Sequence, residues 1–531
     1  MKKALSTSTS VNNRREKPQT LAVIDIGTAA IRMTIAQTDK LKMIKPLESL
    51  QHGLSLGKDT FSKGYLSRES IEDCVRALKS FMQKLKEYQI TDDQQIRIIA
   101  TTAVREASNH QIFVDRIFIA TGLTVEIVED IDTARLTYLS AVSYFSTNKF
   151  QRNPDILIAE MSGGTTEVLL LKNEDVMLSK SYRLGAVRLR EMIEEFRAPV
   201  ERQRELIVSD TQRTVSHICQ DICNVGPLTI IALGGDARFA AAQIQQDWDT
   251  TSPVKITLSS LSKLTDQVMS LSVDEIVSKY HLSYSDAETV GPALLFYLHL
   301  ARALNVKSIT VTSISMRSGI LMEMTQHGSW RIRFTNQIIN SALAIGRKFH
   351  FDEEHARHVE MLSHSLFNEL RDEHRLESWY ELHLRVAALL HDIGSFISIR
   401  SHHKHSMYLI ENSDLFGLSK KDLHIIALTA RYHRRSPPRP EHLEYSTLDK
   451  ESRLAVIKLA ALLRVADALD RSNSQRIREI SCNHCENTFL ITLPNVDDIA
   501  LEQLSLQNKG TLFEEVYGLK VVLLKKAILL E

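Results

Sequence analysis

Two glycine loops in this chain carry the residue types that grip phosphate. In LAVIDIGTAA an apolar run ends at Asp25, Gly27 and Thr28; in DILIAEMSGGTTE another ends at Glu160, Gly163, Gly164, Thr165 and Thr166. Glycines let the backbone approach an anion closely, and successive N–H groups then point into one concavity. The threonine hydroxyls add donors. A carboxylate at each strand end, Asp25 and Glu160, suits a hydrated Mg²⁺ held against phosphate oxygens. Glu167 lies farther into the second loop, where a carboxylate can orient a water or bind a metal. A third glycine turn, Gly234 and Gly235, ends the run LTIIALGG.

A second group is rich in histidine. Thirteen of the twenty histidines fall between His350 and His442, eight of them in HARHVEMLSHSLF, ALLHDIG, SHHKHSMYLI and TARYHRR, and LRVADALDRS follows. His391 and Asp392 end an apolar helix that runs into Gly394. Imidazole beside carboxylate suits a divalent transition metal or Mg²⁺, which can activate water against a phosphate ester. Adjacent residues diverge by about 100° on a helix, so both reach one ion only at its end.

The elements that must position these residues read as follows. LAVIDIG is a buried strand, IRMTIAQ and LKMIKPL a hairpin, and Ser67–Tyr88 a helix with serine at its cap and apolar residues at Ile71, Val75, Leu78, Phe81 and Leu85. IRIIATT and TVEIVED are further strands, and DTARLTYLSAVSYF is a helix. From DILIAEM the order repeats: strand, glycine turn, strand, turn, strand, helices, then strands in LTIIA and KSITVTSIS. The repeat implies two similar α/β lobes with a cleft between them, residues 21–150 and 151–328. Residues 329–475 read as almost pure helix, with RRSPPRPE as a surface loop. Strands return in 476–531 (IREISC, NTFLITL, YGLKVVLLKK) as a small α/β end domain. Residues 1–20 read as a disordered tail without the apolar core of a secretory signal.

Lys+Arg and Asp+Glu both number 65, so no global field draws in a polyanion; local arginines and backbone amides must hold one. Arg183, Arg188 and Arg190 form one basic cluster, and Arg431, Arg434, Arg435 and Arg439 another. Aromatics are 6% of the chain and do not interleave with these clusters, which argues against nucleic acid. No apolar run approaches the ~20 residues that span a bilayer. Five scattered cysteines, with one C-x-x-C at Cys482 and Cys485, make neither a disulfide framework nor a four-ligand zinc site. Together these point to a cytoplasmic protein.

VIDIGTAAIRM resembles the first phosphate loop of the actin/sugar-kinase superfamily, with its ribonuclease H-like lobes. With IIATTAVREASN, EMSGGTTEVLLL and SYRLGAVRLRE in that order, residues 21–325 resemble the exopolyphosphatase and guanosine pentaphosphate phosphatase (Ppx/GppA) family. The resemblance implies hydrolysis of terminal phosphate from inorganic polyphosphate or from pppGpp, with Mg²⁺ in the interlobe cleft and a homodimer formed through the helical region. It places Thr101, Arg105 and Asn109 at the cleft border and Gly185 and Arg188 near the second loop. The chain departs from the pattern at Ala29 and Ala30, at Glu160 (an aspartate in the family) and at Ser162 (a glycine). The family's glutamate before A-R-L, the residue that orients the attacking water, is here Thr133. A threonine hydroxyl is no base at neutral pH. Asp132 is the nearest carboxylate along the chain, and Glu129 and Asp130 are close.

The histidine series resembles the HD metal-phosphohydrolase domain, with His355 first, His391 and Asp392 as the central pair, His405 (or His402) and His433 as the additional histidines, and Asp467 last. Two functions compete. In one, the cleft hydrolyses phosphoanhydrides with Asp25 and Glu160 on the metal and Glu167 or Asp132 on the water. In the other, the lobes sense polyphosphate or (p)ppGpp without turnover, and the HD-type domain does the chemistry. A kinase reading lacks any separate acceptor-binding module.

Overall fold

The computed structural model describes residues 19–525, apart from 39–43, 148–154, 174, 196–198, 223–226, 251, 326–328, 414, 435, 495 and 497. The bulk of the expected tail, residues 1–18, and Arg435 of the second basic cluster lie outside the described residues. The chain parts into two compact units, residues 1–330 and 331–531.

The first unit is built on two sheets. One contains β1 (Thr20–Ile26), β2 (Ala30–Thr38), β3 (Ile44–Gly53), β4 (Ile96–Ala100) and β5 (Glu126–Ile127), in the order β3-β2-β1-β4-β5. The other contains β6 (Asp155–Met161), β7 (Thr166–Lys172), β8 (Asp175–Tyr182), β9 (Leu228–Ala232), β10 (Val254–Thr257) and β11 (Ser308–Val311), in the order β10-β11-β9-β6-β7-β8. Each begins with three antiparallel strands in sequence, and each adds its next strand parallel to the first, β4 beside β1 and β9 beside β6. The repeat seen in the sequence is therefore a repeat of strand order.

Strand β1 is buried from Leu21 through Ile26 because helices cover both its faces. Ala22, Ile24 and Ile26 share a core with Ile71, Val75, Leu78, Phe81 and Leu85 of the helix Arg68–Glu87. Leu21 and Val23 share another with Leu136, Ile320 and Leu321. Alternation puts Asp25 on this second face, toward the helices Asp130–Thr147 and Met316–Thr325. The helix Arg68–Glu87 starts where the Ser70 amide donates to the Ser67 hydroxyl, a cap whose loss costs about 1 kcal/mol.

The second unit packs helices Glu353–Glu369, Trp379–Leu390, His402–Glu411, Lys420–Arg431 and Lys450–Leu469. Every residue from Leu459 to Leu469 is buried, so the last of these is the central helix. The same unit holds a three-stranded sheet, β12 (Ser481–Cys485), β13 (Thr488–Leu493) and β14 (Lys520–Lys525), with helices Ala500–Lys509 and Thr511–Tyr517 between β13 and β14. The strand expected in IREISC begins only at Ser481. No described helix is long and apolar enough to cross a membrane.

Candidate functional site

The strand pairings aim the acidic residues of the first unit at one cleft. Asp25 lies opposite Arg32 across β1 and β2, and Glu160 opposite Glu167 across β6 and β7. Directly opposed residues of an antiparallel pair share a face, so each lobe sends two charged side chains the same way. The cleft they enter is about 160 Å³ and is walled by both glycine loops, by the turn at Gly234 and Gly235, and by the start of the helix Met316–Thr325.

The two loops touch. A Cβ on Gly163 would lie 2.9 Å from the Thr28 side chain, so a larger residue would force the lobes apart. The Ser162 hydroxyl closes the second loop by donating to the Thr165 carbonyl at 3.0 Å and accepting from the Thr165 amide at 3.2 Å. Behind it, a Cβ on Gly185 would stand 2.4 Å from the Gly164 carbonyl carbon, so only glycine permits that approach. The Tyr297 hydroxyl accepts from the Met161 amide at 3.1 Å and donates to the Leu233 carbonyl at 2.6 Å, which locks the ends of β6 and β9 together.

Charges in the cleft alternate. Arg317 Nη1 lies 3.2 Å from Asp25 Oδ2, while Asp25 Oδ1 is buried without a hydrogen-bond partner. Burial raises the pKa of Glu160, an effect that Arg238 and Arg317 moderate. Burial, with Asp286 adding repulsion, pushes Asp236 up to about 6. Burial, together with repulsion from Asp130, raises Glu167 to about 8, although the Ser181 hydroxyl donates to Glu167 Oε1 at 2.8 Å. Burial also lowers the pKa of Arg238, and Arg317 and Arg32 lower it further. The orphaned Asp25 oxygen and the Glu160 carboxylate form an all-oxygen donor set that fits Mg²⁺.

The second unit gathers its histidines into two triads. Ligand atoms of His355, His391 and Asp467 lie within 4.8 Å of one another, and so do those of Asp392, His402 and His433. His391, His402 and His433 each direct Nδ1 at a backbone carbonyl, of Ala388, Ile399 and Ala430 respectively. His355 directs Nδ1 at Asp470, 2.7 Å away. Such contacts fix ring orientation and leave Nε2 as the ligand atom. His391 Nε2 is buried and without a hydrogen-bond partner. Burial and the neighbouring His391 push His433 down to about 3, so its imidazole is neutral, the form that binds metal. The donor sets fit divalent transition metals.

Comparison with known proteins gives this arrangement a family. Residues 34–327 match the Ppx/GppA phosphatase family, and residues 339–510 match domain III of the Ppx/GppA phosphatases. The chain belongs to the Ppx/GppA phosphatase family. It is 24% identical over 494 residues to a guanosine-5′-triphosphate,3′-diphosphate pyrophosphatase of Photobacterium profundum, covering 92% of this chain and 95% of that protein. It is 22% identical over 448 residues to a protein of that name from Aliivibrio fischeri, covering 84% and 87%. The crystal structure of an exopolyphosphatase from Cytophaga hutchinsonii shares the fold, with a TM-score of 0.52 and 20% identity over 58% of this chain and 98% of that one.

Against the family pattern, the cleft brings together Asp25, Gly27, Thr28, Thr101, Glu160, Gly163, Thr165, Glu167, Gly234 and Gly235. Other expected residues stand behind it. The Thr166 hydroxyl is fully buried and donates to the Leu184 carbonyl at 2.7 Å, and Gly164 packs on Thr102 and Phe61. Arg188 lies over the Phe61 ring, 4.0 Å from its centre, pairs with Glu106 and donates to the Gly164 carbonyl, so it braces the loop rather than facing the cleft. Arg105 pairs with Asp130 and donates to the Val128 carbonyl, and Asn109 clamps both backbone groups of Leu66.

At the family's glutamate position the helix turns Thr133 and Asp130 into the cleft, while Asp132 faces Arg135 instead. The helical rotation that takes Asp132 away from the cleft is the one that brings Asp130 in. Arg32, Asp236, Arg238, Asp286 and Arg317 also line the cleft and are not among the expected site residues. Arg32 was open to detection, because a strand's alternation puts it on the face of Asp25's partner position. In domain III, His402 joins Asp392 and His433 and His405 does not; His405 packs its Cβ toward Gly394.

Proposed function

We propose that the first unit hydrolyses the terminal phosphoanhydride of a guanosine or inorganic polyphosphate. The observation that carries this reading is Glu167, a cleft carboxylate with a pKa of about 8, in the same cleft as the threonine that stands in the family's glutamate position. A base titrating near the working pH is suited to take a proton from water. The terminal phosphoryl group would lie between residues 27–28 and 163–165. Arg32, Arg238 and Arg317 would offset its charge, and the amides at the start of the helix Gly235–Ile244 would add donors. Mg²⁺ held by Asp25 and Glu160 would supply charge neutralisation on the phosphate oxygens. Glu167 would accept the proton as the water oxygen bonds to phosphorus in line with the departing bridging oxygen, and the Thr133 hydroxyl would help to hold that water. The names of the relatives, a guanosine pentaphosphate pyrophosphatase and an exopolyphosphatase, support this substrate class.

A second reading makes the lobes a sensor and gives hydrolysis of a phosphoester to an HD-type metal centre in domain III. The paired triads around His391 and Asp392 favour it. Phosphate release from pppGpp and polyphosphate, with Mg²⁺ and with Mn²⁺, separates the two. Asp25→Asn should abolish release under the first reading and spare it under the second; His391→Ala should do the reverse. Full release by Asp25→Asn overturns the cleft assignment.

A further inference from the structure

The two triads of domain III differ in one respect that ligand type does not reveal. Lys509, at the end of the helix Ala500–Lys509, places its ammonium against Asp467 Oδ2. Asp467 is the carboxylate of the His355–His391–Asp467 triad and is 6% exposed. In the other triad, the ion-pair partners of Asp392 among the described residues are imidazoles: His402 Nε2 at 3.1 Å, His433 Nε2 at 3.5 Å and His391 Nε2 at 3.6 Å. Among the described residues no lysine or arginine pairs with Asp392. One triad therefore has a resident cation on its only anionic ligand, and the other is open.

We propose that domain III is a centre for two divalent cations with unequal sites, in which Lys509 guards the Asp467 site. This rests on the metal reading of domain III given above. The chemistry is a competition between cations. Neither imidazole ligand of the guarded site can carry negative charge, so Asp467 supplies all of it. An ion entering there must displace the ammonium from that oxygen or accept a positive charge at contact distance. A hydrogen bond between charged partners contributes about 1.5–3 kcal/mol, so the guard weakens the site by about tenfold or more. Asp392 carries no such handicap, and its triad fills first. His391 and Asp392 are neighbours in sequence and serve different triads, so the sites are coupled through a single peptide unit. The ring of His391 lies 5.4 Å from that of His355 and 5.0 Å from that of His433. Because Lys509 ends the helix Ala500–Lys509, filling the guarded site also breaks the ion pair that ties this helix end to the central helix.

The test is Mn²⁺ binding to the full-length protein by calorimetry and by electron paramagnetic resonance of free Mn²⁺. An Asp25→Asn background keeps the cleft from contributing. Two classes of site are expected. Lys509→Met should tighten the weaker class about tenfold or more and leave the stronger class in place, whereas Lys509→Arg, which keeps the charge, should stay near the wild type. His402→Ala should remove the stronger class only. Hydrogen exchange in Ala500–Lys509 should quicken with Mn²⁺ in the wild type. Unchanged binding by Lys509→Met, or a single class of site, overturns the guard. No Mn²⁺ binding by either the background protein or Lys509→Met overturns the metal reading beneath it.

Discussion

Glu167 offers the sharpest test of the cleft chemistry. Its carboxyl titrates near 8, against an ordinary value of 4.5, so at pH 7 about one molecule in ten carries the base. For a base in the free enzyme, kcat/KM should rise about tenfold per pH unit from about pH 6 and level off above about pH 8. The Ser181 hydroxyl donates to Glu167 Oε1 at 2.8 Å and so favours the ionised form. Ser181→Ala removes about 1.5 kcal/mol of charge-assisted bonding, which moves the rising limb up by about one unit. Activity at pH 7 should then fall by up to about tenfold, while activity on the high-pH plateau is kept. Glu167→Gln should erase the limb and lower the rate about 10²- to 10⁴-fold at every pH. It should also stabilise the fold in alkali. A folded pKa raised above the unfolded one means that the wild type is favoured below about pH 4.5 and loses that margin as pH climbs through about 8. The loss is on the order of a few kcal/mol, and glutamine does not undergo it. The assays are initial rates of phosphate release from pppGpp across about pH 6–9.5 and chemical denaturation at about pH 5 and pH 9. An unshifted limb in Ser181→Ala, or a surviving limb in Glu167→Gln, refutes Glu167 as the base.

Further outcomes follow from contacts already described. Gly185→Ala drives a methyl into the Gly164 backbone, so it should cost about 1–3 kcal/mol, read as a fall of several degrees in Tm, and lower the rate by deforming the second loop. Asp470→Ala frees His355 to rotate and should weaken Mn²⁺ binding at the guarded site about 10- to 100-fold, measured by calorimetry, while the Asp392 triad binds as before.

What the sequence revealed and what it hid divide along a physical line. The loops at Asp25 and Glu160 were legible because each lies within one short segment: an apolar strand, a glycine turn and a hydroxyl. Arg238 and Arg317 were hidden because they reach the cleft from the helices that follow β9 and β11, and only the strand order brings those ends beside β1 and β6. Asp130 against Asp132 was a matter of helical phase, which composition does not fix. The choice between His402 and His405 turned on where one helix starts. Ser401 adopts a left-handed conformation, φ 63°, so the helix begins at His402 and aims that first residue at Asp392. Lys509 sits 42 residues beyond Asp467 with no pattern between them, and it is found only in three dimensions.

The contact between Thr28 and Gly163 also has a bearing on how a long ligand is read. With the two loops abutting, the cleft is pinched at that contact, and a second cavity, lined by Arg32, Gln51 and Arg238, adjoins it. Under the proposed hydrolysis, a polymer would enter such a seat tip first rather than lie across it like a rope over a pulley. Under that same proposal, the place where glycine lets the lobes meet would act as a ruler, setting the cut one phosphoryl unit from a free end, whatever the identity of the body that trails out behind it.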